Sequence, residues 1–306
     1  ILVIGGGSGG FRGGRGGFGG DRDRGPRREG FSRDGGDFRR RDDRQEGAES
    51  AQQSRITLPE NSILIMGRNC IQEVMKHNPE RMMKLYVGTD QGDARLETMV
   101  SEIEAAGVAI ERIDRVAINK LCESESHQGV AAAVTDRVYQ DLEQYVDALP
   151  EGQACKLLLL DSISDPQNFG AILRAAECFG MNAVVWSRNR SSGITPTVAK
   201  VSCGGSELVT LLPVNNLADA VAKLKTKGFW MYASTTKEGA VPMSEIKFDN
   251  RSAVILGSEG YGVQELLLKE SDFRFFIPQA GRIDSLNVSQ ACAVILAKMS
   301  GTNLVA

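Results

Sequence analysis

Phe276-Ile277-Pro278-Gln279-Ala280-Gly281-Arg282-Ile283-Asp284-Ser285-Leu286-Asn287-Val288-Ser289 carries the reading of this chain. An apolar strand ending meets Pro278, which cannot donate to a sheet ladder, and a Gly-containing loop then delivers Ser285, Asn287 and Ser289 to an Ala/Val/Ile/Leu helix at 291–299. Ser285 or Asn287 can serve as the cap of that helix. A loop built this way can equally present its polar groups to a ligand.

Two upstream segments share the grammar. Leu157-Leu158-Leu159-Leu160-Asp161-Ser162-Ile163-Ser164-Asp165-Pro166-Gln167-Asn168-Phe169-Gly170-Ala171-Ile172-Leu173-Arg174-Ala175-Ala176 reads as a buried strand, a polar turn and a helix. Ala253-Val254-Ile255-Leu256-Gly257-Ser258-Glu259-Gly260-Tyr261-Gly262 is again an apolar run breaking into a Gly-rich loop. In an open α/β sheet the ligand crevice is made by loops at the carboxyl ends of strands, so the three are expected to converge. They nominate Asn168, Arg174, Glu259, Ser285 and Asn287. Plain structural roles stand beside these: an ion pair of Arg174 with Glu177 at i+3, and a helix cap for Glu259.

Taken jointly, and in this order, these motifs resemble those of the SpoU-type RNA ribose 2′-O-methyltransferases of the SPOUT superfamily, in their TrmH/RlmB-like branch. The resemblance covers residues 60–300. It implies an α/β-knot catalytic domain whose C-terminal segment threads a loop as a deep trefoil knot, preceded by a small α/β substrate-binding domain. It implies S-adenosylmethionine as cofactor, met by Gly257, Ile277 and Leu286 with Gln279 and Ser285. Arg174 would face the target hydroxyl and phosphate, positioned by Asn168, Glu259, Ser285 and Asn287. Gln279 stands where the family often has Met. The implied substrate is a guanosine of 23S rRNA, with tRNA as the alternative, and the implied assembly is a homodimer whose seam completes both sites. The apolar helix at 291–299, with Cys292, Val294, Ile295, Leu296 and Met299, suits such a seam.

An Arg with a pKa above ~12 is a poor general base. A fixed cation beside the hydroxyl is better placed to favour the developing alkoxide. The reaction needs no metal, and none is expected.

With 306 residues at 42% hydrophobic content the chain can bury a sizeable core, and its length suggests two domains. Its net charge of -3 is uneven: residues 1–50 hold 11 Arg against 9 Asp and Glu, a net of +2 that leaves -5 for the remainder. That Gly/Arg/Asp-rich stretch, with only scattered Phe, reads as a disordered tail over 1–55. Its RGG-like spacing, with Arg12 and Arg15 among the cations, suits RNA contact, and a solubilising linker is the alternative. Gly5-x-Gly7-x-x-Gly10 matches a dinucleotide fingerprint, but the Gly-rich run behind it cannot supply the required helix, which argues against an oxidoreductase.

The six cysteines lie far apart, without metal or redox spacing, and read as buried thiols of a cytoplasmic protein. No apolar run approaches the ~20 residues of a membrane helix. Residues 60–135 read as the substrate-binding α/β domain, with strands at 63–66, 84–87, 108–110 and 129–134 and helices at 69–77, 95–106 and 117–121. Arg68 is its candidate phosphate contact, and a surface Arg in a turn is the alternative. His127 reads as structural. Residues 136–153 read as a linker with room for one helix, and 154–306 as the catalytic domain, with later strands at 182–186, 208–212, 230–233, 253–256 and 273–277. A fold-retaining RNA-binding or ribosome-assembly factor without chemistry remains the second reading.

Overall fold

Short apolar runs bounded by Gly, Asp and Pro become strands, and the 3.6-period segments between them become helices. The computed structural model describes residues 56–90, 93–283 and 285–301. The tail expected over 1–55, with Arg12 and Arg15, lies outside the described residues, as do Asp284 and the last five residues.

The first layer is built by β1 (Ser62–Met66), α1 (Arg68–His77), β2 (Met82–Gly88), α2 (Ala94–Ala105), β3 (Ala109–Ile113), α3 (Arg115–Cys122) and β4 (Val130–Thr135). Its four strands lie in the order β1-β4-β2-β3, with β4 antiparallel to both neighbours and β3 parallel to β2. The ranges follow the periodicity closely. Asp93 and Asp114 open α2 and α3 by accepting from the backbone N–H three residues on.

Next comes α4 (Leu142–Asp147), then β5 (Cys155–Asp161), α5 (Pro166–Cys178), β6 (Ala183–Ser187), α6 (Pro196–Val201), α7 (Gly205–Leu208), β7 (Thr210–Val214), α8 (Leu217–Thr226) and β8 (Trp230–Ser234). The chain continues through β9 (Val241–Pro242), β10 (Arg251–Gly257), α9 (Glu265–Glu270), β11 (Phe273–Phe276) and α10 (Val288–Ser300). The second sheet runs β7-β6-β5-β10-β8-β11-β9, and each of its strand pairs is parallel. A parallel sheet must be covered on both faces, which is why the middles of β5 (Leu157 to Leu160) and β10 (Ala253 to Leu256) are unbroken apolar runs rather than alternating. One face packs under α5 and α10 around Phe169, Trp186, Ile295 and Leu296, and the other under α4, α8 and α9 around Leu159, Val221 and Leu267.

Strand order changes direction between β5 and β10, whose register sets Gly257 opposite Asp161. Their carboxyl ends therefore adjoin, and the loops that follow are neighbours. This is the switch point at which open α/β sheets bind ligands.

Two details differ from the sequence reading. The strand expected at 208–212 begins two residues later, because Gly204 in the left-handed region (φ 96) lets the chain make one more helical turn, closing at Leu208. The stretch at 136–153 is also more than a connector: Leu142 and Val146 of α4 are buried in the second sheet's core.

Candidate active site

Pro166 follows Asp165 at the start of α5, and the Asp165 carboxylate accepts from the N–H groups of Gln167 and Asn168. This cap holds Asn168 on the first turn, with its side chain nearly buried. Asn287 caps α10 in the same way, its Oδ1 accepting from Ser289 N at 2.8 Å and from Ser289 Oγ at 2.6 Å. The capping role weighed for Asn287 is therefore real. It leaves the amide nitrogen for other work.

That nitrogen closes the site. Asn287 Nδ2 donates to Glu259 Oε1 at 2.7 Å and to Asn168 Oδ1 at 2.9 Å, while Asn168 Nδ2 donates to the same Glu259 oxygen at 3.2 Å. The backbone N–H of Val288 adds a fourth bond, to Glu259 Oε1, at 3.3 Å. One side chain from each loop thus meets the others, and the carboxylate lies at the positive end of α10. Glu259 caps, but it caps α10 across the site rather than the helix that follows it in sequence.

The loop carrying Glu259 is fixed from beneath. A Cβ placed on Gly257 would lie 2.0 Å from the carbonyl carbon of Gly262 and 2.2 Å from Val263 N, so only glycine lets the loop return over the end of β10. Ser258 and Gly262 pair across that return. Asp161, buried at the end of β5, accepts from Gln264 N at 2.8 Å, from Gln264 Nε2 and from Ser162 Oγ at 3.0 Å. Arg190 Nη1 donates to Gln264 Oε1 at 2.7 Å. Sequence reasoning missed Asp161 and Gln264. The available signal was an acidic residue directly after the apolar run Leu157 to Leu160, which must find donors to be buried.

Gln279 and Ser285 are exposed on the loop between β11 and α10, flanked by the half-buried Ile277 and Leu286. Apolar side chains beside exposed polar groups match a purine, with its apolar faces and hydrogen-bonding edge, so these residues fit an adenosine. Ser285 stands outside the Asn168, Glu259 and Asn287 cluster.

Arg174 stands apart as well. It is six residues beyond Asn168 on α5, so it lies about 9 Å further along the axis and roughly 120° around it. It is exposed, and its Nη1 donates to Cys203 Sγ at 3.5 Å. Among the described residues it forms no ion pair with Glu177. A cleft of about 290 Å³ next to it is lined by Asn69, Gln72 and Glu73 of α1 and by Glu177 and Cys203.

Arg68 is held from three sides. Its N–H donates to Gln128 Oε1 at 3.0 Å, its Nε to Gln128 O at 3.1 Å and its Nη1 to Asp93 at 2.6 Å. That guanidinium holds the Asp93 carboxyl below its usual range. Nearby His127 is buried, its Nδ1 accepting from Gly129 N and its Nε2 set 2.7 Å from Asn119 Oδ1, a pattern that fits the neutral ring. Among the described residues no group of three or more His, Cys, Asp or Glu is placed to hold a metal, and no helix is long and apolar enough to cross a membrane.

Residues 156–297 match the SpoU rRNA methylase family, and residues 64–140 match the RNA 2′-O ribose methyltransferase substrate-binding family. The 23S rRNA (guanosine-2′-O-)-methyltransferase RlmB of Coxiella burnetii is 36% identical over 233 residues, which cover 76% of this chain and 92% of that protein. The chain belongs to the SpoU family. The RlmB of Vibrio cholerae is 35% identical, over 76% of this chain and 94% of its own. Among solved structures, the SpoU methyltransferase AviRb of Streptomyces viridochromogenes in complex with AdoMet superposes with a TM-score of 0.65 at 19% identity, covering 80% of this chain and 91% of its own. At that identity the likeness speaks for the fold. As a SpoU member this chain is an RNA ribose 2′-O-methyltransferase, and the family's cofactor is S-adenosylmethionine.

Proposed function

We propose that this SpoU enzyme methylates the ribose 2′-hydroxyl of a guanosine in 23S rRNA. The observation that carries the reading is the junction of Asn168, Glu259 and Asn287 at the carboxyl edge of the parallel sheet. Similarity to two RlmB proteins over three quarters of the chain supports the substrate. A cytoplasmic location agrees with it.

Bound S-adenosylmethionine would supply a methyl group on a sulfonium centre. Ile277 and Leu286 would enclose the adenosine, Gln279 and Ser285 would meet its polar edges, and Gly257 would keep the adjoining loop in place. Asn168, Glu259 and Asn287 hold three loops in one arrangement, which fixes the approach of the ribose. Arg174 would lie beside the target oxygen and stabilise the charge that develops as its proton leaves. The trefoil threading of the SpoU fold belongs to this proposal, supported by the bonds between the start of α10 and the loop after β10.

A homodimer is also part of it. The apolar residues of α10 do not argue for one, since Cys292, Ile295, Leu296 and Met299 are buried within the chain's own core and only Val294 is substantially exposed. The separation of Arg174 from the trio is what supports a second copy, whose Arg174 would complete the site. Arg68, Arg12 and Arg15 are proposed RNA contacts. For Arg68 this requires RNA phosphate to compete with Asp93.

The test is transfer of labelled methyl from S-adenosylmethionine to a 23S rRNA transcript, with mapping of the bond protected from alkaline cleavage. A single protected guanosine is expected; label on a base, or on tRNA instead, contradicts the reading. Arg174→Ala should lower the single-turnover rate by about 100-fold and leave cofactor affinity unchanged in a titration.

A further inference from the structure

Glu207 on α7 is an acidic residue whose side chain is fully buried. Two arginines meet it from the segment matching the substrate-binding family. Arg81 Nη1 donates to Glu207 Oε2 at 2.5 Å, while its Nε and Nη2 donate to Thr135 O. Arg137 Nη2 donates to Glu207 Oε1, and its Nη1 donates to Ser206 O. The arginine side chains are only 11% and 9% exposed. Burial pulls Arg137 below its ordinary range and Glu207 opposes that shift, as in an ion pair withdrawn from water.

The segment leading into Glu207 runs directly to Arg174. Cys203, in the left-handed region at φ 49, supplies the sulfur that accepts from Arg174 Nη1. Gly204 lies so close beneath α1 that a Cβ there would sit 2.3 Å from Glu73 Cγ. Gly205 backs onto α5, where a Cβ would lie 3.0 Å from the Cα of Arg174. Two left-handed residues and two contacts that only glycine permits leave residues 203–207 little freedom to move independently. One end of this five-residue link touches Arg174, and the other is gripped by the two arginines.

We propose that Glu207 is a positioning residue: through the link at 203–207 its pairing with Arg81 and Arg137 sets the position of Arg174, so that docking of the substrate-binding segment tunes methyl transfer. The inference rests on the reading of Arg174 given above. A purely structural role for Glu207 would lower stability and leave the rate of folded enzyme unchanged. A positioning role lowers that rate, and only while Arg174 is present.

The experiment is a double-mutant cycle on the full chain, read as single-turnover methyl transfer to the 23S rRNA transcript at saturating cofactor, alongside cofactor titration and thermal melting. Glu207→Gln should cut the rate by about tenfold with cofactor affinity unchanged, and should cost no further rate in an Arg174→Ala background, since coupled residues are non-additive. Because Glu207→Gln strands two buried guanidiniums, Arg81→Met serves as a second variant that keeps the Arg137 pair and should give a smaller loss of the same kind. Unchanged rates in folded Arg81→Met or Glu207→Gln overturn the inference, as do losses that multiply with that of Arg174→Ala. A full rate in Arg174→Ala itself overturns the reading of Arg174, and this inference with it.

Discussion

Gly257 illustrates how a single residue serves the site without touching a substrate. From sequence its lack of a side chain is expected to let backbone approach the cofactor, yet the nearest obstacle to a Cβ is the chain's own return at Gly262 and Val263. Gly257→Val should therefore weaken S-adenosylmethionine binding tenfold or more and also destabilise the fold by about 1–3 kcal/mol, the usual cost of overpacking. Paired calorimetric titration and melting check this, and a normal melting temperature would contradict the geometry. His127 behaves differently. Burial, then Arg115 and Lys200, hold its imidazole below the ordinary value, with Glu125 opposing. The unfolded chain then binds the proton more readily, so this residue's contribution is full above a pH of about 6.5 and falls away as the pH drops toward the depressed folded value. Urea unfolding between pH 7.5 and 5.5 should show stability declining with acidification, and His127→Gln should flatten that slope.

At the scale of elements the two site helices begin alike and do different work. Asp165 caps α5 and Asn287 caps α10, and loss of either cap should cost about 1 kcal/mol. Asp165→Ala should stop there, provided Asn168 keeps its place. Asn287→Ala should also slow methyl transfer, because the amide that joins Glu259 to Asn168 is lost. Asn287→Ser separates these effects, since a serine oxygen can still cap but supplies no amide donor to the cluster. Its melting temperature should return close to wild type while the single-turnover rate stays low; recovery of both would reduce Asn287 to a helix cap. Such caps are legible in sequence because they span two or three residues. The register that sets Gly257 opposite Asp161 joins residues nearly a hundred positions apart, and local patterning does not encode it.

At the scale of the whole molecule, assembly decides how the site is completed. The face of α10 that seemed available for a partner is largely spent on the chain's own core against α5. Arg174, meanwhile, bonds Cys203 and takes no part in the hydrogen bonds of the trio it is expected to serve. A dimer mass at micromolar concentration by light scattering is the expected outcome, and mixing Arg174→Ala with Asn168→Ala subunits should raise activity above that of either variant alone if each site draws on both chains. A monomer, or mixed subunits no more active than either variant, would require Arg174 to act within its own chain.

By itself the sequence determined the strands of both sheets apart from β9, the three loop motifs and the family, because these depend on alternation, helical period, caps and breakers acting over a few residues. Convergent loop grammar nominated Asn168, Arg174, Glu259, Ser285 and Asn287 for one site, and of these Asn168, Glu259 and Asn287 meet. Only the tertiary structure decided that Asn287 bridges the other two, that Asp161 braces the Glu259 loop through Gln264, and that Arg174 faces Cys203 instead. It alone revealed Glu207 as a buried charge, because its partners Arg81 and Arg137 come from distant parts of the chain. Whether a carboxylate is solvated or sealed between guanidiniums depends on what folding brings beside it, and side-chain identity along the chain carries no local mark of that.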